Sequence, residues 1–171
     1  MLSRFFPDIY IDSVKELPVK DLKARGIKLL IFDIDNTLAP FDEEFPGEET
    51  AKLISSFMEA GFICCLLSNN RKERVERFNE RLKIDTIHRA GKPGVKKLRD
   101  FLDKMGIKPE EAAIIGDQVF TDIFCGRRLK IYSILTKPIS GKDQLVTWIK
   151  RGVERLFIKV YLKRGGKNEN G

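Results

Sequence analysis

The apolar run Leu29-Leu30-Ile31-Phe32 ends in Asp33 and Asp35, two carboxylates two residues apart, with Asn36 and Thr37 directly behind them. Two anions held this close repel each other, so the pair implies a cation, a shared proton, or both. Three further stretches put polar residues at or just beyond the end of an apolar run. They are Ser68-Asn69-Asn70, Gly91-Lys92-Pro93, and the segment from Gly116 through Asp117 to Asp122. Taken singly each says little, because an Asp after a strand is commonly a turn residue or a helix cap. Caps account neither for the lysine nor for the Asp-x-Asp spacing.

A parallel sheet is what would bring such groups together. Apolar runs at 29–34, 62–67, 112–115 and 131–135, with a weaker one at 86–88, read as buried strands. Between them, helical spacing joins Leu53, Ile54, Phe57 and Met58 in 48–60, and Val75, Phe78 and Leu82 in 71–82. It also joins Val95, Leu98, Phe101, Leu102 and Met105 in 94–105. Pro93 and Gly94 stand where that last helix would start, and Gly106 where it would stop. The alternation predicts an α/β fold, a three-layer Rossmann-like parallel sheet with helices on both faces. Parallel strands point their carboxyl ends to one edge, where open α/β sheets bind ligands, so the four polar stretches should converge there.

At 171 residues, 42% hydrophobic and 33% charged, the chain suits one folded domain and excludes general disorder. Its expected parts are a lead-in (1–27), a catalytic core (28–139), a basic amphipathic helix (140–164) and a polar tail (165–171). No apolar run approaches transmembrane length, and the N-terminus lacks the apolar core of a signal peptide. Cys64, Cys65 and Cys125 are odd in number and sit among apolar residues, which favours buried thiols in a reducing cytoplasm over disulfides. Strand alternation would put Cys64 and Cys65 on opposite faces, as core and not as metal ligands. Of the net charge of +7, residues 142–171 supply five, with eight basic against three acidic side chains. That asymmetry suits an anionic partner, membrane or nucleic acid, or simply a solvated helix face.

In this order the four stretches resemble the motifs of the haloacid dehalogenase superfamily of phosphotransferases, over about residues 29–135. Its Asp-x-Asp-x-Thr motif matches Asp33, Asp35 and Thr37, and its Ser/Thr and Lys motifs match Ser68 and Lys92. Its last motif matches Gly116, Asp117 and Asp122. The resemblance implies a phosphomonoester hydrolase in which Asp33 attacks phosphorus and becomes phosphorylated. It implies Mg²⁺ on Asp33, Asp117 and the main-chain carbonyl of Asp35, with Asp122 acting through water or from further out while holding Lys92. Lys92 would bring positive charge to the phosphate, whose oxygens Thr37, Ser68 and Asn69 would also bind. Asp35 would protonate the leaving oxygen and then activate water. His88, the only histidine, is expected to be idle because Asp35 fills the acid/base position. A receiver domain shares this chemistry but places its acceptor Asp after the third strand.

Members with small substrates often insert a cap after the first or second motif, and 39–47 and 68–92 are too short for one. An open site suits a phosphate on a lipid, protein or nucleic-acid end, or a small substrate covered by a second subunit. On a helix over 142–164, Leu145, Val146, Ile149, Val153, Leu156, Phe157, Val160 and Tyr161 form a stripe for packing on the sheet. Trp148, Ile158 and Leu162 share the other side with Arg151, Arg155 and Lys159, a mixture suited to a membrane interface. An exposed face or a dimer contact would read the same way. Leu2, Phe5 and Phe6 beside Arg4 would add insertion.

Nearly the whole chain is similar to one lidless branch, the YqeG-type phosphatases, related to phosphatidylglycerophosphate phosphatases. The shared stretches run from Phe6-Pro7-Asp8 to Val14, then Gly26-Ile27-Lys28, Ser68-Asn69-Asn70, Gly91-Lys92-Pro93, Gly116-Asp117-Gln118 and the basic tail. Ile34 stands where the branch often has Leu, and Gly91 where it has a basic residue. This resemblance implies conversion of phosphatidylglycerophosphate to phosphatidylglycerol by a peripheral protein on the cytoplasmic membrane face. A soluble nucleotide, sugar phosphate or nucleic-acid end is the alternative substrate. An idle membrane- or nucleic-acid-binding module is the alternative of another kind, against which intact Asp33 and Asp35 speak.

Overall fold

The computed structural model describes residues 2–140 and residue 160. The expectations for residues 141–159 and 161–171, including Trp148, Arg151, Arg155, Ile158, Lys159 and Leu162, lie outside the described residues. Six strands, β1 (Ile9–Ile11), β2 (Leu29–Phe32), β3 (Ile63–Leu67), β4 (Asp85–Ile87), β5 (Ala112–Gly116) and β6 (Tyr132–Thr136), form one sheet. Their order is β1-β6-β5-β2-β3-β4, and every pair is parallel. Among residues 2–140 the accompanying α-helices are α1 (Val19–Ala24), α2 (Glu48–Glu59), α3 (Lys72–Asn79), α4 (Lys96–Met105) and α5 (Phe124–Leu129).

Successive strand side chains face opposite ways, and this alternation builds two cores. Leu30, Phe32, Cys64, Leu66 and Ile115 pack with Leu22 of α1, Ile54 and Phe57 of α2, and Val75 and Phe78 of α3. Leu29, Ile31, Cys65, Leu67 and Ile114 pack on the other face with Leu98 and Leu102 of α4 and Cys125 and Leu129 of α5. The result is the expected three-layer fold. All three thiols are buried, and burial pushes Cys64 up to about 12 and Cys125 up to about 11, so both are structural.

Several boundaries move for visible reasons. The lead-in contributes β1, whose Ile9, Tyr10 and Ile11 pair with Ile134, Leu135 and Thr136 of β6. Phe5 stacks on Phe124 at 4.6 Å and meets Phe120 edge-on at 5.5 Å, so it belongs to the α5 packing and is not a free insertion residue. Strand β2 stops at Phe32 because the chain turns, with the Thr37, Leu38 and Ala39 amides all donating to the Ile34 carbonyl. Helix α3 ends early because Asn79 takes both main-chain groups of Ile84, at 2.8 and 3.0 Å. Helix α4 starts after a Gly91–Gly94 turn and ends at Gly106, whose φ of 65° is a conformation that costs glycine little.

Between β2 and β3 the chain makes only a loop and α2, and between β3 and β4 only α3, so neither slot holds a cap. The sequence order reverses around β2, which lies between β5 and β3. Phe32 is level with both Leu66 and Ile115, so the residues that follow these strands emerge side by side.

Candidate active site

Asp33 leaves the end of β2 with its amide still in the sheet, donating to the Ile115 carbonyl at 2.9 Å. Asp117 leaves the end of β5, next to it. Asp122 comes from a wide turn over Val119–Ile123, where the Asp122 and Ile123 amides both donate to the Gln118 carbonyl. That turn brings the Asp122 carboxylate back against Gly116, where any Cβ would collide with it. One carboxylate oxygen from each of Asp33, Asp117 and Asp122 lies within 4.8 Å of the others, and all three residues are buried. Lys92 sits among them, 8% exposed, with Nζ 2.5 Å from Asp33 Oδ1 and 2.6 Å from Asp122 Oδ1.

Two of these carboxylates, Asp33 and Asp122, therefore share one ammonium. Burial on its own would lower the Lys92 pKa, but Asp122 and Asp33 outweigh it and hold the amine charged. Asp122 is pushed up by burial and by the Asp33 charge, against the pull of Lys92. The donors are all hard carboxylate oxygens gathered at one point, a set that fits a hard divalent cation.

Asp35 stands apart from this cluster. Asn70 Nδ2 donates to its Oδ2 at 2.5 Å and Arg74 Nη2 to its Oδ1 at 3.3 Å. Burial, then the Asp33 charge, raises the Asp35 pKa above the usual carboxylate range, while Asn70, Arg74 and Lys92 oppose the rise. Asp33, Asp35, Ser68, Asn69, Asn70, Lys92, Gln118 and Thr121 line a well of about 80 Å³.

The expected residues thus converge, and two of them have partners within the site. The Thr37 hydroxyl, expected on phosphate, lies 3.5 Å from Asp117 Oδ1 and outside the well lining, so it supports a carboxylate. The Asn69 amide is held by Lys92, whose amide donates to Oδ1 at 2.7 Å while Nδ2 donates to the Lys92 carbonyl at 3.1 Å. It anchors the lysine's backbone, which leaves phosphate contact to its remaining N–H groups. The sequence alone gives no role to Asn70, Arg74, Gln118 or Thr121. Asn70 and Gln118 adjoin motif residues, which is a signal of sorts, and Thr121 Oγ1 fixes Gln118 by donating to Oε1 at 3.2 Å. His88 does not line the well; its carbonyl accepts from Lys97.

Among the described residues, no helix is long and apolar enough to cross a membrane. The family described as mitochondrial PGP phosphatase matches residues 2–140. The chain is 32% identical over 166 residues to the probable phosphatase YqeG of Bacillus subtilis (strain 168), covering 96% of each. It is 26% identical over 179 residues to phosphatidylglycerophosphate phosphatase 1, chloroplastic/mitochondrial, of Arabidopsis thaliana. That alignment takes in 94% of this chain and 49% of the plant protein, about half its length. Among solved structures, 3-deoxy-D-manno-octulosonate 8-phosphate phosphatase from Moraxella catarrhalis, in complex with magnesium ion, phosphate ion and KDO, superposes with a TM-score of 0.51. The two are 20% identical over 82% of this chain and 91% of that one, and what they share is the fold. A family match over residues 2–140 and similarity to YqeG along nearly the full length place the chain in the mitochondrial PGP phosphatase family, as a phosphatase of the haloacid dehalogenase type.

Proposed function

We propose that this phosphatase converts phosphatidylglycerophosphate to phosphatidylglycerol at the cytoplasmic face of a membrane, through a phosphorylated Asp33. The observation that carries the reading is the size and openness of the well. At about 80 Å³ it has room for a few water-sized groups, enough for a phosphoryl group, and among the described residues no cap is inserted over it. The leaving group must then lie at the rim, as a phosphate presented from a lipid surface would. The phosphatidylglycerophosphate phosphatase in the set of relatives supports the same substrate.

Asp33 lines the well and is the nucleophile: its carboxylate oxygen bonds to phosphorus as the bond to the leaving oxygen breaks. Lys92 offsets the repulsion between that carboxylate and the phosphate dianion. Asp35, with its raised pKa, gives its proton to the leaving oxygen, which departs as the alcohol. It then takes a proton from water, whose oxygen attacks phosphorus and frees Asp33 and inorganic phosphate. Ser68 Oγ accepts from the Asn70 amide at 3.1 Å, so its own proton is directed to a phosphate oxygen. Asp33, Asp117 and the Asp35 carbonyl would hold Mg²⁺, with Asp122 supporting. That ion would neutralise charge on the phosphoryl oxygens.

Membrane association is proposed from the basic, Trp-containing sequence of 142–164, with Arg151, Arg155 and Lys159 meeting anionic lipid. The test is phosphate release from phosphatidylglycerophosphate beside a panel of nucleotides, sugar phosphates and nucleic-acid ends, with and without Mg²⁺. Turnover of the lipid about 100-fold above the panel, abolished by EDTA, is expected. A soluble phosphate preferred over the lipid overturns the substrate, and undiminished rates in EDTA overturn the metal. Liposome flotation unchanged on replacing Arg151, Arg155 and Lys159 with Gln overturns the docking face.

A further inference from the structure

Each oxygen of the Asp35 carboxyl has its own donor, and the two are unequal. Asn70 Nδ2 lies 2.5 Å from Oδ2, whereas Arg74 Nη2 lies 3.3 Å from Oδ1. Oδ2 is therefore the oxygen turned to the neutral Asn70 amide, and Oδ1 the one turned to the Arg74 guanidinium. Both donors are themselves fixed. The Asn70 amide donates to Ser68 Oγ at 3.1 Å, and its carbonyl accepts from the Arg89 amide at 2.8 Å. Arg74 also donates from Nη2 to the Glu43 carbonyl at 2.5 Å and from Nη1 to the Glu44 carbonyl at 3.1 Å, with its guanidinium 5.4 Å from the Phe78 ring centre. Only a planar fork of N–H donors serves two carbonyls and a carboxyl together; an ammonium cannot span them. The Arg74 and Asp35 side chains are 21% and 28% exposed, at the rim where a leaving group must sit.

We propose that Arg74, aided by Asn70, is a positioning residue that holds Asp35 Oδ1 at the leaving oxygen and ties it to the loop at 43–44. This rests on Asp35 acting as the acid. As the proton moves from Oδ1 to the leaving oxygen, the phosphorus–oxygen bond breaks, the alcohol departs and phosphorus stays on Asp33. Negative charge appears on Oδ1, the oxygen that faces the Arg74 guanidinium. Arg74 thus interacts more strongly with the transition state than with the protonated ground state, which is the condition for accelerating the step.

A leaving group that needs no proton is the control. p-Nitrophenolate departs unaided, an alkoxide does not, and kcat/KM reports this first bond cleavage. Arg74→Ala should lower kcat/KM about 30-fold for whichever alkyl phosphate the wild type turns over fastest, and less than about threefold for p-nitrophenyl phosphate. Arg74→Lys keeps charge and stem without the fork, serves if the alanine variant does not fold, and should lose about tenfold on the alkyl substrate alone. Arg77 holds the same loop through the Glu44 carboxylate at 2.8 Å without reaching Asp35, so Arg77→Ala should leave the ratio of the two substrates unchanged. Equal losses on both substrates in the Arg74 variants, or the split reproduced by Arg77→Ala, overturn the proposal. Asp35→Asn separates the two levels. If it shows the split and the Arg74 variants do not, positioning fails while the acid stands; if it shows none, the acid assignment falls and takes Arg74 with it.

Discussion

The two edges of the sheet carry charge in opposite ways. At the carboxyl edge Asp33, Lys92, Asp117 and Asp122 are each 8% exposed or less, and Asp33 and Asp122 share the Lys92 ammonium. At the amino edge Arg4, Arg25, Lys130 and Glu110 are exposed, the pair Lys28–Glu111 keeps its lysine in solvent, and Arg127–Asp8 is only half-buried. The larger hollow also lies there, about 430 Å³ lined by Arg4, Asp8, Arg25, Arg127, Lys130 and Tyr132 among others. The well with the chemistry is about 80 Å³. Volume is thus a poor guide to the site. Solvated charges cost almost nothing, whereas each buried one costs several kcal/mol and persists only where something offsets it. Clustered buried charge marks the working edge.

The largest expected effect tests that contrast directly. Asp33→Asn should lower phosphatase turnover by about 10⁴-fold or more, while Arg25→Ala, beside the larger hollow, should stay within about twofold. A comparable loss in Arg25→Ala would break the comparison. Next in size is metal binding. Mg²⁺ at about 100 times its dissociation constant should stabilise the protein by about 2.7 kcal/mol, read as a rise in Tm. Asp117→Asn should remove most of that rise, and Arg25→Ala none. If Mg²⁺ leaves Tm unchanged in the wild type, the three carboxylates are not a cation site.

Glycines at the two edges give a smaller contrast. At Gly116 a Cβ would meet the Asp122 side chain, so Gly116→Ala should destabilise by about 2 kcal/mol and displace a site carboxylate. At Gly26 a Cβ meets nothing within 4 Å, and only the φ of +78° is strained, so Gly26→Ala should cost about 1 kcal/mol with activity intact. Denaturant unfolding read beside turnover separates the two. Equal activity losses would show that stability alone, and not the Asp122 position, governs the site.

What the sequence revealed follows the same division. Residues whose types are costly to bury, Asp33, Lys92, Asp117 and Asp122, stood out only as a set, because caps explain the aspartates singly but neither Lys92 nor the Asp33–Asp35 spacing. Strand β1 did not, since Ile9-Tyr10-Ile11 is only three residues long and its partner in β6 lies more than 120 positions away. Helix α1 has six residues and one buried side chain, Leu22, too few for periodicity to reveal. The spacing from Asp117 to Asp122 was legible as a motif, but its cause, a wide turn that folds Asp122 back onto Gly116, was not. Arg74 was least legible of all. It stands among Lys72, Glu73, Glu76 and Arg77 on one polar helix, and only the arrival of the loop at 43–44 and of Asp35 singles it out.

The smallest effect concerns the sign of pH dependence, which should differ between the edges. Asp35 has its pKa raised by burial and then by Asp33, so its protonated form favours the folded state. That stabilisation is complete below the unfolded pKa and is lost as pH rises through the folded one. Asp35→Asn cannot ionise and keeps an acceptor for Asn70, so its Tm relative to wild type should improve from pH 4 to pH 7.5 in EDTA. At the amino edge Glu111 has its pKa lowered, chiefly by the hydrogen bond from Lys28 at 2.7 Å. Its stabilisation is present above the unfolded pKa and is lost as pH falls, so Glu111→Gln should worsen relative to wild type over the same rise. The two differences should move in opposite directions along one pH axis. If they move together, the carboxyl edge does not hold its charge at greater cost than the amino edge, because a carboxylate already offset by Arg74, Asn70 and Lys92 would titrate like one in solvent.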